Sequence, residues 1–129
     1  MATTNTDSIT ENAVTYNSKK ILMNHLGSFL KNDLEAVVSD YTNESVFITQ
    51  DATYTGPREI KLFFANLLEH FPKDKFDFHL DKLVVVDTMA FIVWHATTPT
   101  VEVPLGTDTF IIKDGKIIQQ TFCGQLKFK

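Results

Sequence analysis

The chain has 129 residues, 43% hydrophobic and 12% aromatic, with eleven phenylalanines and a formal net charge of −4. This length and apolar content fit one domain with a sizeable core and exclude a repeat array or a disordered tail, while the acidic balance argues against a nucleic-acid surface. One cysteine excludes an internal disulfide, and four scattered histidines form no Cys/His cluster at metal-ligand spacing, so neither a metal nor another cofactor is expected.

The first fifteen residues are polar and lack the basic start and apolar run of a signal peptide; they read as a flexible extension of a single domain spanning 1–129. No apolar segment approaches membrane-spanning length, and a cytoplasmic protein with no membrane partner is expected. Ser8-Ile-Thr-Glu11 matches a capping box. Ile21, Leu22, Leu26, Phe29 and Leu30 then recur at helical spacing, which predicts a helix ending near Lys31-Asn32 with His25 on its apolar stripe. Asp33 is placed to cap a short second helix through Leu34, Val37, Val38 and Tyr41, and Ser45–Thr49 reads as a strand. Gly56-Pro57 opens a third helix whose apolar face is Ile60, Phe63, Phe64, Leu67, Leu68 and Phe71, and Pro72 closes it.

Everything after Pro72 reads as strand: Lys75–Asp87, Thr88–Thr98, Thr107–Lys113 and Lys116–Lys127. Lys113-Asp-Gly-Lys116 makes the last two an antiparallel hairpin. Helices followed by long antiparallel strands predict an α+β domain with the helices on one face of a curved sheet.

Asp108 is the odd residue in that pattern. Strand alternation turns it the same way as Phe110 and Ile112. A carboxylate among apolar neighbours either finds a cation or has its pKa raised until it holds a proton at neutral pH, where it becomes a hydrogen-bond donor. The plainer account is a wet position near the mouth of the sheet. Hairpin parity selects its neighbours: a three-residue turn with a glycine bulge sets Asp108 beside Gln120, with Ile118 and Phe122 on the same face, whereas a two-residue turn substitutes Thr121 and Cys123. The three-residue turn is the expectation adopted.

Asn32-Asp-Leu-Glu-Ala36, Gly56-Pro-Arg-Glu-Ile60 followed by Phe63-Phe64, and Phe110-Ile-Ile-Lys-Asp-Gly-Lys-Ile117 occur in the order and spacing of a known fold. Over roughly residues 18–128 the chain resembles the nuclear transport factor 2-like superfamily, which includes ketosteroid isomerases and the polyketide cyclases related to SnoaL. The resemblance implies a cone-shaped α+β fold, its curved, mostly antiparallel sheet wrapped around three N-terminal helices.

The same resemblance implies a site. Asp108 falls where ketosteroid isomerases keep a protonated aspartic acid, the family that serves as the standard case of a neutral carboxylic acid. Their oxyanion-hole tyrosine falls on His25, and their general-base aspartate on Thr49. Threonine cannot shuttle a proton at neutral pH, so steroid isomerisation lacks its base unless Asp51 reaches inward. His95, with Phe91 and Val93, is aligned on the pocket face, and Ile92 and Trp94 on an outer face that pairs two copies in this superfamily. The implied catalytic set is Asp108, His25 and His95, as in the related His and Asp arrangement of scytalone dehydratases. Thr49, Phe63, Phe91, Val93, Phe110, Gln120 and Phe122 would line the substrate.

Each of these residues also has a purely structural account. His25 and His95 serve equally well as core histidines, His70 as a cation at a helix C-terminus, Tyr41 and Tyr54 as core-edge rings, and Cys123 as inert packing. Three function classes follow. One is an isomerase, dehydratase or cyclase acting on a small hydrophobic carbonyl compound by cofactor-free acid-base chemistry. The others are a non-catalytic binder of an apolar metabolite and a homodimeric interaction domain.

Overall fold

The computed structural model describes residues 12–129, so the Ser8–Glu11 capping motif lies outside the described residues. Helix α1 (Ala13–Leu30) starts at Asn12, whose side chain accepts the Thr15 N–H at 2.7 Å. Its inner stripe buries Leu22, His25, Leu26 and Phe29. Asp33 caps α2 (Leu34–Val38) by accepting the Ala36 N–H. Tyr41, expected in that helix, instead opens strand β1 (Tyr41–Thr49). It pairs with Ile117, and the Ile117 N–H donates to the Asp40 carbonyl, so sheet pairing overrides the helical spacing.

After β2 (Thr53–Thr55), helix α3 (Gly56–Leu68) carries Pro57 in its first turn and buries Ile60, Phe64 and Leu68, with Phe71 fully buried just beyond its end. Asn32, in a left-handed conformation after α1, donates from Nδ2 to the carbonyls of Leu68 and Phe71 and so ties the ends of α1 and α3 together.

The remaining strands are β3 (Asp77–Val86), β4 (Met89–Thr97), β5 (Val101–Lys113), β6 (Lys116–Gly124) and β7 (Lys127–Phe128). The sheet order is β2-β1-β6-β5-β4-β3, with β7 on β5; β1 and β6 run parallel and the other pairs antiparallel. The result is an open, mixed α+β cone with one apolar core between helices and sheet. Among the described residues no helix is long and apolar enough to cross a membrane.

Bulges decide which side chains reach the interior. Strand β5 begins at Val101 rather than at Thr107, because Pro104 and Leu105 together oppose His95 between the pairs Ala96↔Val103 and Trp94↔Gly106. A bulge tolerates the missing N–H of proline. The β5–β6 hairpin has a two-residue turn, not the expected three: Asp114 and Gly115 have φ of 53° and 77°, as a type I′ turn requires. A bulge at Ile118 then restores the other parity, pairing Phe110 with Gln120 and Asp108 with Phe122. Gln120 and Phe122 therefore share the inner face with Asp108, while Ile117 takes the inner place expected for Ile118. Cys123 is exposed rather than packed.

Strand β4 presents the opposite face from the one expected. Asp108 pairs with Ile92 and Phe110 with Ala90, and paired residues share a face. Ala90, Ile92, Trp94 and Ala96 are accordingly buried, and Phe91, Val93 and His95 lie on the outer side.

A candidate site on the inner wall

An apolar cavity of about 40 Å³ lies between α1, α3 and the inner face of the sheet, walled by Phe29, Phe47, Phe63, Phe64, Phe78, Phe110 and Phe122, with Trp94. Rings fill most of the cone: Phe47 stacks on Phe64 with centroids 5.7 Å apart, and Phe63 meets Phe47 edge-on at 4.8 Å. The volume holds a few waters and not a metabolite. A wider hollow of about 260 Å³, lined by Thr49, Asp51, Tyr54, Asn66 and His70 among others, shares Phe63, Leu67 and Phe122 with the inner cavity.

One wall of the inner cavity is polar. Asp40 Oδ2 lies 2.7 Å from His25 Nδ1, and His25 Nε2 lies 3.3 Å from the Tyr41 hydroxyl. That hydroxyl donates to Gln120 Oε1; Gln120 Nε2 donates to Asp108 Oδ2 at 2.9 Å, and Trp94 Nε1 donates to Asp108 Oδ1 at 2.8 Å. Six side chains from α1, the α2–β1 junction and strands β1, β4, β5 and β6 thus form one chain, and only its Asp40 end, 22% exposed, approaches solvent. Among the described residues no buried side-chain nitrogen or oxygen lacks a partner. The Asp40 carboxylate directs a proton to His25 Nδ1, which leaves Nε2 as the working nitrogen of that imidazole. Gly106 makes the Trp94 bond possible, since a Cβ there would stand 2.6 Å from the indole.

The structure brings together His25, Asp108, Phe63, Phe110, Gln120 and Phe122, but not the other expected members. His95 is on the outer face, half-exposed, 2.7 Å from Asp81 and stacked on His79 at 4.6 Å. Phe91 and Val93 face outward with it, the consequence of the β4 register. Thr49 lines the outer hollow, where its hydroxyl accepts the N–H groups of Asp51 and Ala52 in a tight turn. Asp51 is exposed on the same hollow and does not reach the inner cavity. His70 bonds Thr100 Oγ1 beyond the end of α3. Trp94, Asp40 and Tyr41 are the members that sequence reasoning missed; Gly106, a glycine inside a strand, was the available sign of a large ring opposite. Among the described residues no group of three or more His, Cys, Asp or Glu side chains is placed to hold a metal ion.

A cone of three helices and an open sheet, with a carboxyl and an imidazole on its inner wall, defines a class of small α+β domains. The family model for the SnoaL-like domain matches residues 24–120, and the chain belongs to that family. A search of curated proteins found no match. Among solved structures, a nuclear transport factor 2-like protein of unknown function from Mesorhizobium loti is similar at 16% identity and a TM-score of 0.72, covering 88% of this chain and 95% of its own. A candidate ketosteroid isomerase from Kribbella flavida is similar at 12% identity and a TM-score of 0.70, covering 89% of this chain and 82% of its own. An M. tuberculosis LEH-like epoxide hydrolase is similar at 11% identity and a TM-score of 0.67, covering 86% and 84%. These likenesses concern the fold, and the two named enzymes on it run different chemistries.

Burial dominates the electrostatics of Asp108 and raises its pKa from 3.8 to about 6; the bonds from Trp94 and Gln120, and the nearby His25, pull the other way. The rise falls short of keeping the proton at pH 7, because both carboxylate oxygens already accept from N–H donors. Burial, reinforced by the charges of Asp108 and Asp40, pushes the Tyr41 hydroxyl well above its usual value, so it stays a donor. For Asp108 the folded state holds the proton more tightly than the unfolded chain. Its contribution to stability is therefore greatest below pH 4 and is lost as pH rises through 6, a difference on the order of 3 kcal/mol. In urea unfolding at pH 4 and pH 7, the parent should lose about that much relative to Asp108→Asn; a gap between the two proteins that does not change with pH would show that Asp108 ionises without penalty.

Proposed function

We propose that the protein is an acid-base enzyme of isomerase, dehydratase or cyclase type, acting without a cofactor on a small, flat, hydrophobic carbonyl compound. The observation that carries this reading is the His25–Asp40 pair, joined through Tyr41 and Gln120 to Asp108 along the wall of an aromatic cavity. His25, oriented by Asp40, is the base; Tyr41 and Asp108 are the groups that face developing negative charge or return a proton. A thiol nucleophile has no support, since Cys123 is exposed and outside the cavity. Substrate enters through the outer hollow, and rotation of Phe63 and Phe122, which border both spaces, joins the two into one volume of ligand size. The specific alternative is a non-catalytic binder of an apolar metabolite. It is favoured by the saturation of the polar chain, in which every member already has a partner.

A thermal-shift screen of hydrophobic ketones and polyketide-like aromatics, followed by turnover assays on the hits, separates these readings. The enzyme reading predicts a compound that stabilises the parent and is converted, with conversion falling about 100-fold or more in His25→Ala. Stabilisation without conversion would favour the binder, and stabilisation by none of the compounds would sink both.

We also propose that two copies pair through the outer sheet face. Val46, Ile48, Val84, Met89, Phe91, Val93 and Ile111 form an apolar surface there that water covers poorly. Light scattering should report a dimer for the parent and a monomer for Val93→Glu; a monomeric parent would remove the proposal.

A further inference from the structure

We infer that Gln120 is a positioning residue through which Asp108 and His25 share one proton. The inference deepens the acid-base reading above by assigning how its two end groups are coupled.

The direction of each bond in the chain is fixed by chemistry at three points. Trp94 Nε1 only donates, so Asp108 Oδ1 accepts in every state. The Tyr41 hydroxyl keeps its one hydrogen, and an amide donates from nitrogen and accepts at oxygen. With Asp108 ionised, Gln120 turns its nitrogen to Asp108 and its oxygen to Tyr41, the arrangement present in the structure. Tyr41 then spends its hydrogen on Gln120, and its oxygen is left to accept from His25 Nε2, which must carry a proton. With Asp108 protonated at Oδ2, the bond pattern reverses. Gln120 turns over, its oxygen accepts from Asp108 and its nitrogen donates to Tyr41. Tyr41 then donates to an unprotonated His25 Nε2.

The two arrangements hold the same number of hydrogens. One leaves His25 Nε2 and one arrives on Asp108 Oδ2, with water as the carrier, since an amide does not relay protons. The other two occupancies, reached as pH falls or rises, each cost a hydrogen bond. If both ends are protonated, the Tyr41 oxygen faces two donors and its own hydrogen has no acceptor. If neither is, either Gln120 Oε1 or His25 Nε2 is left without a donor. The titratable groups facing the chain are Asp40, His25, Tyr41 and Asp108; α3 meets it with the Phe64 ring and β3 with the Phe78 ring, which carry no charge. His25 is thus free to act as a base when Asp108 holds the proton, which is the pairing an enolising or dehydrating site needs.

Asp108→Asn tests the coupling. The Asn carbonyl must accept from Trp94, so its NH2 faces Gln120 and imposes the reversed arrangement. Followed by 15N NMR of the imidazole at one fixed pH near neutrality, the share of His25 that carries a proton at Nε2 should fall about tenfold relative to the parent. Loss of the Asp108 charge acts through space as well, so the same substitution is made in Tyr41→Phe, which cuts the chain and leaves both bonds to Asp108 in place. The effect of Asp108→Asn should shrink by half or more in that background. An equal effect in both backgrounds, or none in the first, overturns the proposal. If Tyr41→Phe fails to fold, Gln120→Met cuts the chain at the next link. The measurement uses resting protein without substrate, so its outcome and that of the turnover assay fail independently.

Discussion

A carboxylate set among aromatic rings must be given hydrogen-bond donors, and much of the inner wall is arranged to supply two of them to Asp108. Trp94 reaches it because Gly106, directly across the β4–β5 ladder, leaves room for an indole. Gln120 reaches it because the bulge at Ile118 shifts β6 by one residue and turns Gln120 rather than Thr121 inward. Either feature alone would leave one carboxylate oxygen without a protein partner on a wall made mostly of aromatic rings.

That requirement extends across the cavity. A Gln120 amide held by Asp108 at its nitrogen needs a donor at its oxygen, and Tyr41 is the donor; Tyr41 in turn meets His25, which Asp40 anchors near the surface. The result is an acidic group and a basic group at opposite ends of one oriented chain, each beside the same apolar space. An imidazole backed by a carboxylate and a second carboxyl with a raised pKa are the components from which proton transfer to carbon or oxygen is built. The phenylalanines have a double effect: they stabilise the fold by burial, and they keep the water-poor surroundings in which the polar chain has strength. They also nearly fill the cavity, and Phe63 and Phe122 stand between it and the outer hollow.

The architecture was legible because long amphipathic stretches and a glycine turn carry strong periodic signals. The third helix, the Asp33 cap and the burial of His25 follow from spacing alone. The failures share a cause. In β4 both alternating sets, Phe91 and Val93 against Ile92 and Trp94, are apolar, so alternation marks no preferred face. The face is chosen by register with β5, which runs through a bulge at Pro104–Leu105 that local pattern does not reveal. His95 went with the wrong set for the same reason. Tyr41 continues a helical spacing and yet starts a strand, because its pairing partner lies 76 residues further along the chain. Asp40 carries no local sign of its role, since only the tertiary fold sets it against His25.

The protonation of Asp108 underlies both the stability and the chemistry assigned to this wall. Its carboxyl carbon can be followed directly by 13C NMR during a pH titration of the folded protein. The account predicts a midpoint near 6. A midpoint near 4, the ordinary range for an aspartate, would contradict it and reduce the chain to a hydrated structural feature.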